Sequence, residues 1–119
     1  MHRKFLFILT MSMLLGCEEL IEVEDISNEA VIVLAPVDNT TLTDNSVGFS
    51  WSPLDFAESY QLQVASPNFE NAQVIVEDTI VSTTSFTKTL EAGTYQWRIK
   101  AINFAYETPF TTQSLNIEN

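Results

Sequence analysis

Residues 93–101 read Gly-Thr-Tyr-Gln-Trp-Arg-Ile-Lys-Ala, so Tyr95, Trp97, Ile99 and Ala101 alternate with Gln96, Arg98 and Lys100. A period of two sends successive side chains to opposite faces, and this run predicts a strand with one buried and one wet face. Two large rings on the inward side need extensive cover, which makes the strand central. The same alternation recurs at Val47, Phe49 and Trp51, stopped by Pro53, and at Tyr60, Leu62 and Val64, with Gln61 and Gln63 between them. Shorter runs complete the set: 30–35, mostly aliphatic and closed by Pro36; 73–81, interrupted near Asp78; 85–90, around Phe86; and 110–117. Residues 37–45, rich in Asp, Asn and Thr, read as a turn or a kinked edge, and 66–71 and 103–109 as loops. Beyond residue 30 no stretch keeps the i, i+3, i+4 pattern of an amphipathic helix over three turns. Seven short strands with turns between them predict an all-β, two-sheet sandwich with Trp51, Tyr60, Tyr95 and Trp97 in its core.

The first residues follow a different rule. His2, Arg3 and Lys4 precede an apolar run at 5–15, and Gly16 follows it. A spanning helix needs roughly 20 apolar residues, so this run is too short to anchor the chain, whereas a basic head, a short apolar middle and a small residue describe a secretory signal. Its end, Leu14-Leu15-Gly16-Cys17, resembles the lipobox of bacterial lipoproteins. That resemblance implies cleavage between Gly16 and Cys17, lipidation of the Cys17 thiol, acylation of the new amino group, and a membrane partner reached through these chains. Two or more acyl chains hold stably in a bilayer.

Behind Cys17 come Glu18, Glu19, Glu22, Glu24, Asp25 and Glu29. Like charges at this density repel, which predicts a solvated tether over 17–29. The domain plan is therefore a signal peptide at 1–16, the tether at 17–29 and one sandwich at 30–119. Acids close behind a lipidated Cys also resemble the surface-export signal of some Gram-negative lipoproteins. The expected address is the bacterial cell envelope, at the outer membrane, with the domain either displayed on the surface or facing inward.

The sandwich itself resembles a fibronectin type III domain, part of the immunoglobulin-like class. Phe49-Ser50-Trp51-Ser52-Pro53 is similar to that family's second strand with its core Trp, and Tyr60-Gln61-Leu62-Gln63-Val64 to its third. Leu90-Glu91-Ala92-Gly93-Thr94-Tyr95 resembles the approach to its strand F. The resemblance puts Tyr95 in the tyrosine-corner position, its phenol turned back to backbone near Leu90. Residues 97–103 are similar to bacterial members that read Trp-Arg-Val-x-Ala.

Composition narrows the function. The full chain of 119 residues has 16 acidic and 5 basic residues, a formal charge of −11. After cleavage Lys88, Arg98 and Lys100 would face all 16 acids, giving −13. Such a surface repels phosphate backbones, so nucleic acid is excluded as a partner. With His2 removed and the only thiol acylated, Ser-His, Cys-His and His-metal chemistry are excluded too. No cofactor or metal is called for: Asp38, Asn39, Asp44 and Asn45 fit turn chemistry better than the six to eight oxygens of a calcium site. Acids are plentiful, but a sandwich of this size implies no concave cleft for them to line, and the chain reads as a non-enzyme.

Two surfaces are candidates for binding. Gln96, Arg98 and Lys100 should share an outer sheet face with Gln61 and Gln63, where amides and a guanidinium can hydrogen-bond sugars, peptides or carboxylates. The competing reading is a solvated face whose charges meet cross-strand acids such as Glu58 or Glu77. Phe104 and Tyr106, with Phe110, lie in or beside the loop after the central strand, a position suited either to a partner or to capping the core. Asp78-Thr79-Ile80 resembles an O-glycosylation site of some Gram-negative envelopes. The functions that follow are an anchored binding or spacer module, a carbohydrate-binding accessory of a glycan-uptake system, or a structural subunit of an envelope assembly. The protein or glycan ligand is not specified by the sequence.

Overall fold

The computed structural model describes residues 22–118. The expected cleavage and lipidation positions, Gly16 and Cys17, lie outside the described residues.

Among the described residues eight strands form two sheets: β1 (Val33–Ala35), β2 (Thr40–Leu42), β3 (Ser46–Trp51), β4 (Ser59–Ser66), β5 (Val74–Val81), β6 (Ser85–Thr89), β7 (Gly93–Ile102) and β8 (Thr111–Ile117). One sheet has the order β1-β3-β6 and the other β2-β8-β7-β4-β5. Neighbours are antiparallel except β2 and β8, which run parallel. The long alternating run at 93–101 is the central strand β7, with Tyr95, Trp97, Ile99 and Ala101 buried and the even-numbered residues facing outward.

The core joins the two sheets through aromatic rings. Phe49 meets Trp97 edge-on with centroids 4.8 Å apart, and Trp51 lies 5.7 Å from Tyr60. Both indoles are essentially inaccessible, and neither Nε1–H has an acceptor among the described residues. An unpaired donor costs about 1–3 kcal/mol, less than a buried indole gains from its apolar area and ring contacts. The expected corner is formed: Tyr95 Oη donates to the Glu91 carbonyl at 2.7 Å.

Three details depart from the sequence-based expectation. The segment 37–45 contains a strand, β2, as well as turns. Asp38 Oδ1 accepts the Ser114 N–H at 2.7 Å, and Asn39, at φ 61°, donates its N–H to the Ser114 carbonyl at 2.9 Å. This turn carries the chain from the first sheet to the second, where Thr40 pairs with Leu115. Next, β5 is continuous through Asp78; its irregularity lies opposite Val64 and Ala65, where the register passes from Glu77 to Ile75 and leaves Val76 extra. Finally, Ile26, within the segment expected to be a solvated tether, is 1% exposed and belongs to the core cluster with Val31.

Candidate functional site

The outer face of β4 and β7 is built by register. Gln63 pairs with Arg98 and Gln61 with Lys100, which brings Gln61, Gln63, Gln96 and Arg98 together as the alternation predicts. What surrounds them is largely internal. The Arg98 guanidinium lies against two rings, its Cζ 4.0 Å from the Phe69 centroid and 4.2 Å from that of Phe110. Its Nε donates to Gln63 Oε1 at 2.7 Å. Gln63 and Gln61 in turn donate to the two carboxylate oxygens of Asp78, at 3.1 and 2.8 Å. Gln96 Oε1 accepts the Phe69 N–H at 3.0 Å and so fixes the loop that carries one wall of the clamp.

The charges find partners other than those expected. Lys100 pairs with Glu107 and lies 4.7 Å from the Phe110 centroid, while Glu77 pairs with Lys88 at 2.9 Å. No carboxylate within ion-pair distance of Arg98 occurs among the described residues. The guanidinium is balanced by two rings and the Gln63 amide, and its Nε is already engaged. A ligand at this face would meet an array whose ring contacts and Nε bond are already made within the domain.

Phe104 and Tyr106 are not part of that array. They sit at the opposite side of residue 102, on the loop 103–110, at one end of the sandwich. The organiser of this end is Asn103, a buried residue only 7% exposed. Its Nδ2 donates to the Glu24 carbonyl at 2.8 Å and to the Phe56 carbonyl at 3.2 Å. Its Oδ1 accepts the N–H groups of Ala105 and Tyr106, at 3.0 and 2.8 Å. One amide thus ties together the incoming chain, the β3–β4 loop and the β7–β8 loop. Phe56 has φ 71°, a left-handed conformation that bulky residues rarely adopt, and its ring is 64% exposed. Neither Asn103 nor Phe56 stands out in the sequence, because an Asn after a strand and a Phe in a loop are common until the three segments converge.

The remaining candidates resolve simply. Asp44 Oδ1 accepts the Ser46 N–H at 3.0 Å, and Asp38 caps β8, as turn chemistry requires. Among the described residues no group of three or more His, Cys, Asp or Glu is placed to hold a metal ion. Thr79 pairs with the buried Leu62 and is half-buried, so the strand does not hold its hydroxyl fully in solvent. At the sandwich end that carries Phe56, Ser27 donates both its N–H and its hydroxyl to Asp25, which lowers that carboxyl below its ordinary value.

Neither a family model nor a curated protein matches the sequence. Solved structures do match the fold. A fibronectin(III)-like module of Clostridium thermocellum CbhA superposes with a TM-score of 0.55 at 9% identity, over 74% of this chain and 95% of that one. A fibronectin type III domain from human KIAA0970 protein gives 0.53 at 14% identity, over 73% and 72%. An Fn3-like protein from Clostridium thermocellum gives 0.50 at 16% identity, over 76% and 90%. At these identities the likeness is one of architecture: the fold is a fibronectin type III-like β-sandwich.

Proposed function

We propose that this chain is a non-catalytic envelope lipoprotein, acylated at Cys17, that presents a single fibronectin type III-like module for binding or spacing. The observation that carries the reading is the run Leu14-Leu15-Gly16-Cys17 behind a basic head and a short apolar stretch, placed only nine positions before the first core residue, Ile26. Little chain separates the lipid from the fold, as an anchored module requires. The fibronectin type III-like fold supports the non-catalytic part, since a rigid sandwich offers strands and loops to a partner without chemistry of its own. The address is the outer membrane.

A structural-subunit reading draws on a different feature. β5 is an outer strand of its sheet, eight residues long, and exposes Val74, Ile75 and Ile80. An uncovered apolar edge of that length is suited to pairing with another strand.

The test is expression in a Gram-negative host, membrane fractionation and mass spectrometry of the mature protein. The expected product begins at Cys17, carries acyl mass there and sediments with membranes; Cys17→Ser should release it. An unmodified mature chain in the soluble fraction overturns the anchor. Protease treatment of intact cells then separates surface display, which gives cleavage, from an inward-facing domain, which gives protection.

A further inference from the structure

The exposed aromatic rings of this domain all lie at one end. Among the described residues the large exposed rings are Phe56 at 64%, Phe104 at 81% and Tyr106 at 37%. They come from two loops far apart in sequence, and both loops are bound to Asn103. The same Asn103 holds the Glu24 carbonyl. The rings are therefore fixed beside the point where the chain arrives from Cys17.

From Cys17 to Glu24 is seven residues, which reach at most about 25 Å when fully extended. The central strand alone has ten residues, about 33 Å of sandwich. A leash shorter than the body it holds cannot turn that body over. Full inversion is excluded, and the end bearing the three rings stays nearest the surface in which Cys17 is embedded.

We infer that Phe56, Phe104 and Tyr106 form a lipid-contact patch that seats the module on the bilayer interface. This rests on acylation at Cys17. Rings of this kind suit the headgroup region, where an apolar body sinks and a phenol stays wet. Phe56 holds its ring in solvent from a backbone conformation that opposes it, which a purely structural position does not need. The chemistry of the surface is constrained as well. Glu24, Asp25, Glu29 and Asp55 line a groove beside Phe56, so the patch suits a zwitterionic surface and is repelled by an anionic one.

The test uses the full-length acylated protein in phosphatidylcholine vesicles. Acylation consumes the Cys17 thiol, so Ala105→Cys supplies one labelling site between Phe104 and Tyr106 without removing a ring. Ala72→Cys supplies a control in the β4–β5 loop at the opposite end. A polarity-sensitive fluorophore at 105 should shift to the blue and be quenched several-fold more by brominated lipid than one at 72. Replacing part of the lipid with phosphatidylglycerol should lower the quenching at 105. Phe104→Ser combined with Phe56→Gly should abolish it; thermal melting confirms that the variant is folded, and Phe56→Gly should raise its stability by relieving the backbone. Equal quenching at 105 and 72, or quenching at 105 that survives loss of the rings, overturns the patch. A blue shift at 105 without lipid quenching assigns the face to contact between copies of this chain and also overturns it. Mass spectrometry of the same sample keeps the two proposals apart: absent acyl mass removes the anchor and the patch together, whereas an acylated chain with an aqueous label removes the patch alone.

Discussion

Tyr95 buries its ring on the core side of β7 while its hydroxyl ties back to Glu91, so one residue both fills the interior and closes the loop ahead of the central strand. Gly93 makes the loop feasible: its φ of +156° is one that side-chain-bearing residues rarely adopt. Burial, with the negative charge of Glu91 as a second cause, raises the Tyr95 phenol above its ordinary value. The folded chain then holds this proton more tightly than the unfolded one. Its contribution to stability is complete below the unfolded phenol value, near 10, and is lost as pH rises through the raised value. Tyr95→Phe should lose about 0.5–1.5 kcal/mol at neutral pH and show a shallower alkaline decline. Denaturant melts of both proteins from about pH 8 to about pH 11 check this, and parallel declines would contradict the linkage. Tyr95 was legible in the sequence as a core ring through the alternation of its strand, and as the corner through the resemblance of residues 90–95 to the fibronectin type III approach to strand F. Asn103 was not, because its four hydrogen bonds join residues up to 79 positions away.

At the scale of elements, β4 and β7 show why alternation locates a face but not its partners. The two strands place Gln61, Gln63, Gln96 and Arg98 on one side because side-chain direction in a strand has a period of two. The walls of the Arg98 clamp come from outside that pattern: Phe69 from the loop after β4, and Phe110 from the residue before β8. The guanidinium is planar and lies against both rings, a wider contact than the compact charge of an ammonium makes. Arg98→Lys should therefore destabilise the domain by about 1–2 kcal/mol, on the scale of two cation–π contacts and a lost Nε bond. An unchanged urea midpoint would show that the clamp adds nothing to stability. The strand β2 carries a similar lesson. Its three residues have no distinctive pattern, and they become a strand because Asp38 and Asn39 seize β8 at Ser114 and set the parallel register.

For the whole molecule, the question is where the domain begins. Ile26 packs among core residues contributed by both sheets, although acids surround it in sequence. One apolar residue in such a segment is weak evidence by itself; it becomes a core residue only because Asn103 fixes the Glu24 backbone beside the sandwich end. Ile26→Ala should cost about 2–5 kcal/mol and Trp97→Ala about 3–5 kcal/mol, each a large share of the 5–15 kcal/mol typical of a domain. Calorimetry of the two variants checks both. A wild-type melt for Ile26→Ala would return that segment to the role of a free tether.

The sequence by itself determined every strand but β2, their inward and outward faces, the buried rings and the excess of acid, because each depends on neighbours one or two positions away or on a simple count. Tertiary structure alone decided which loops meet, what satisfies Arg98 and where Ile26 goes. Those outcomes depend on contacts between residues tens of positions apart, and the alternation of a single strand carries no information about which distant segment will lie against it.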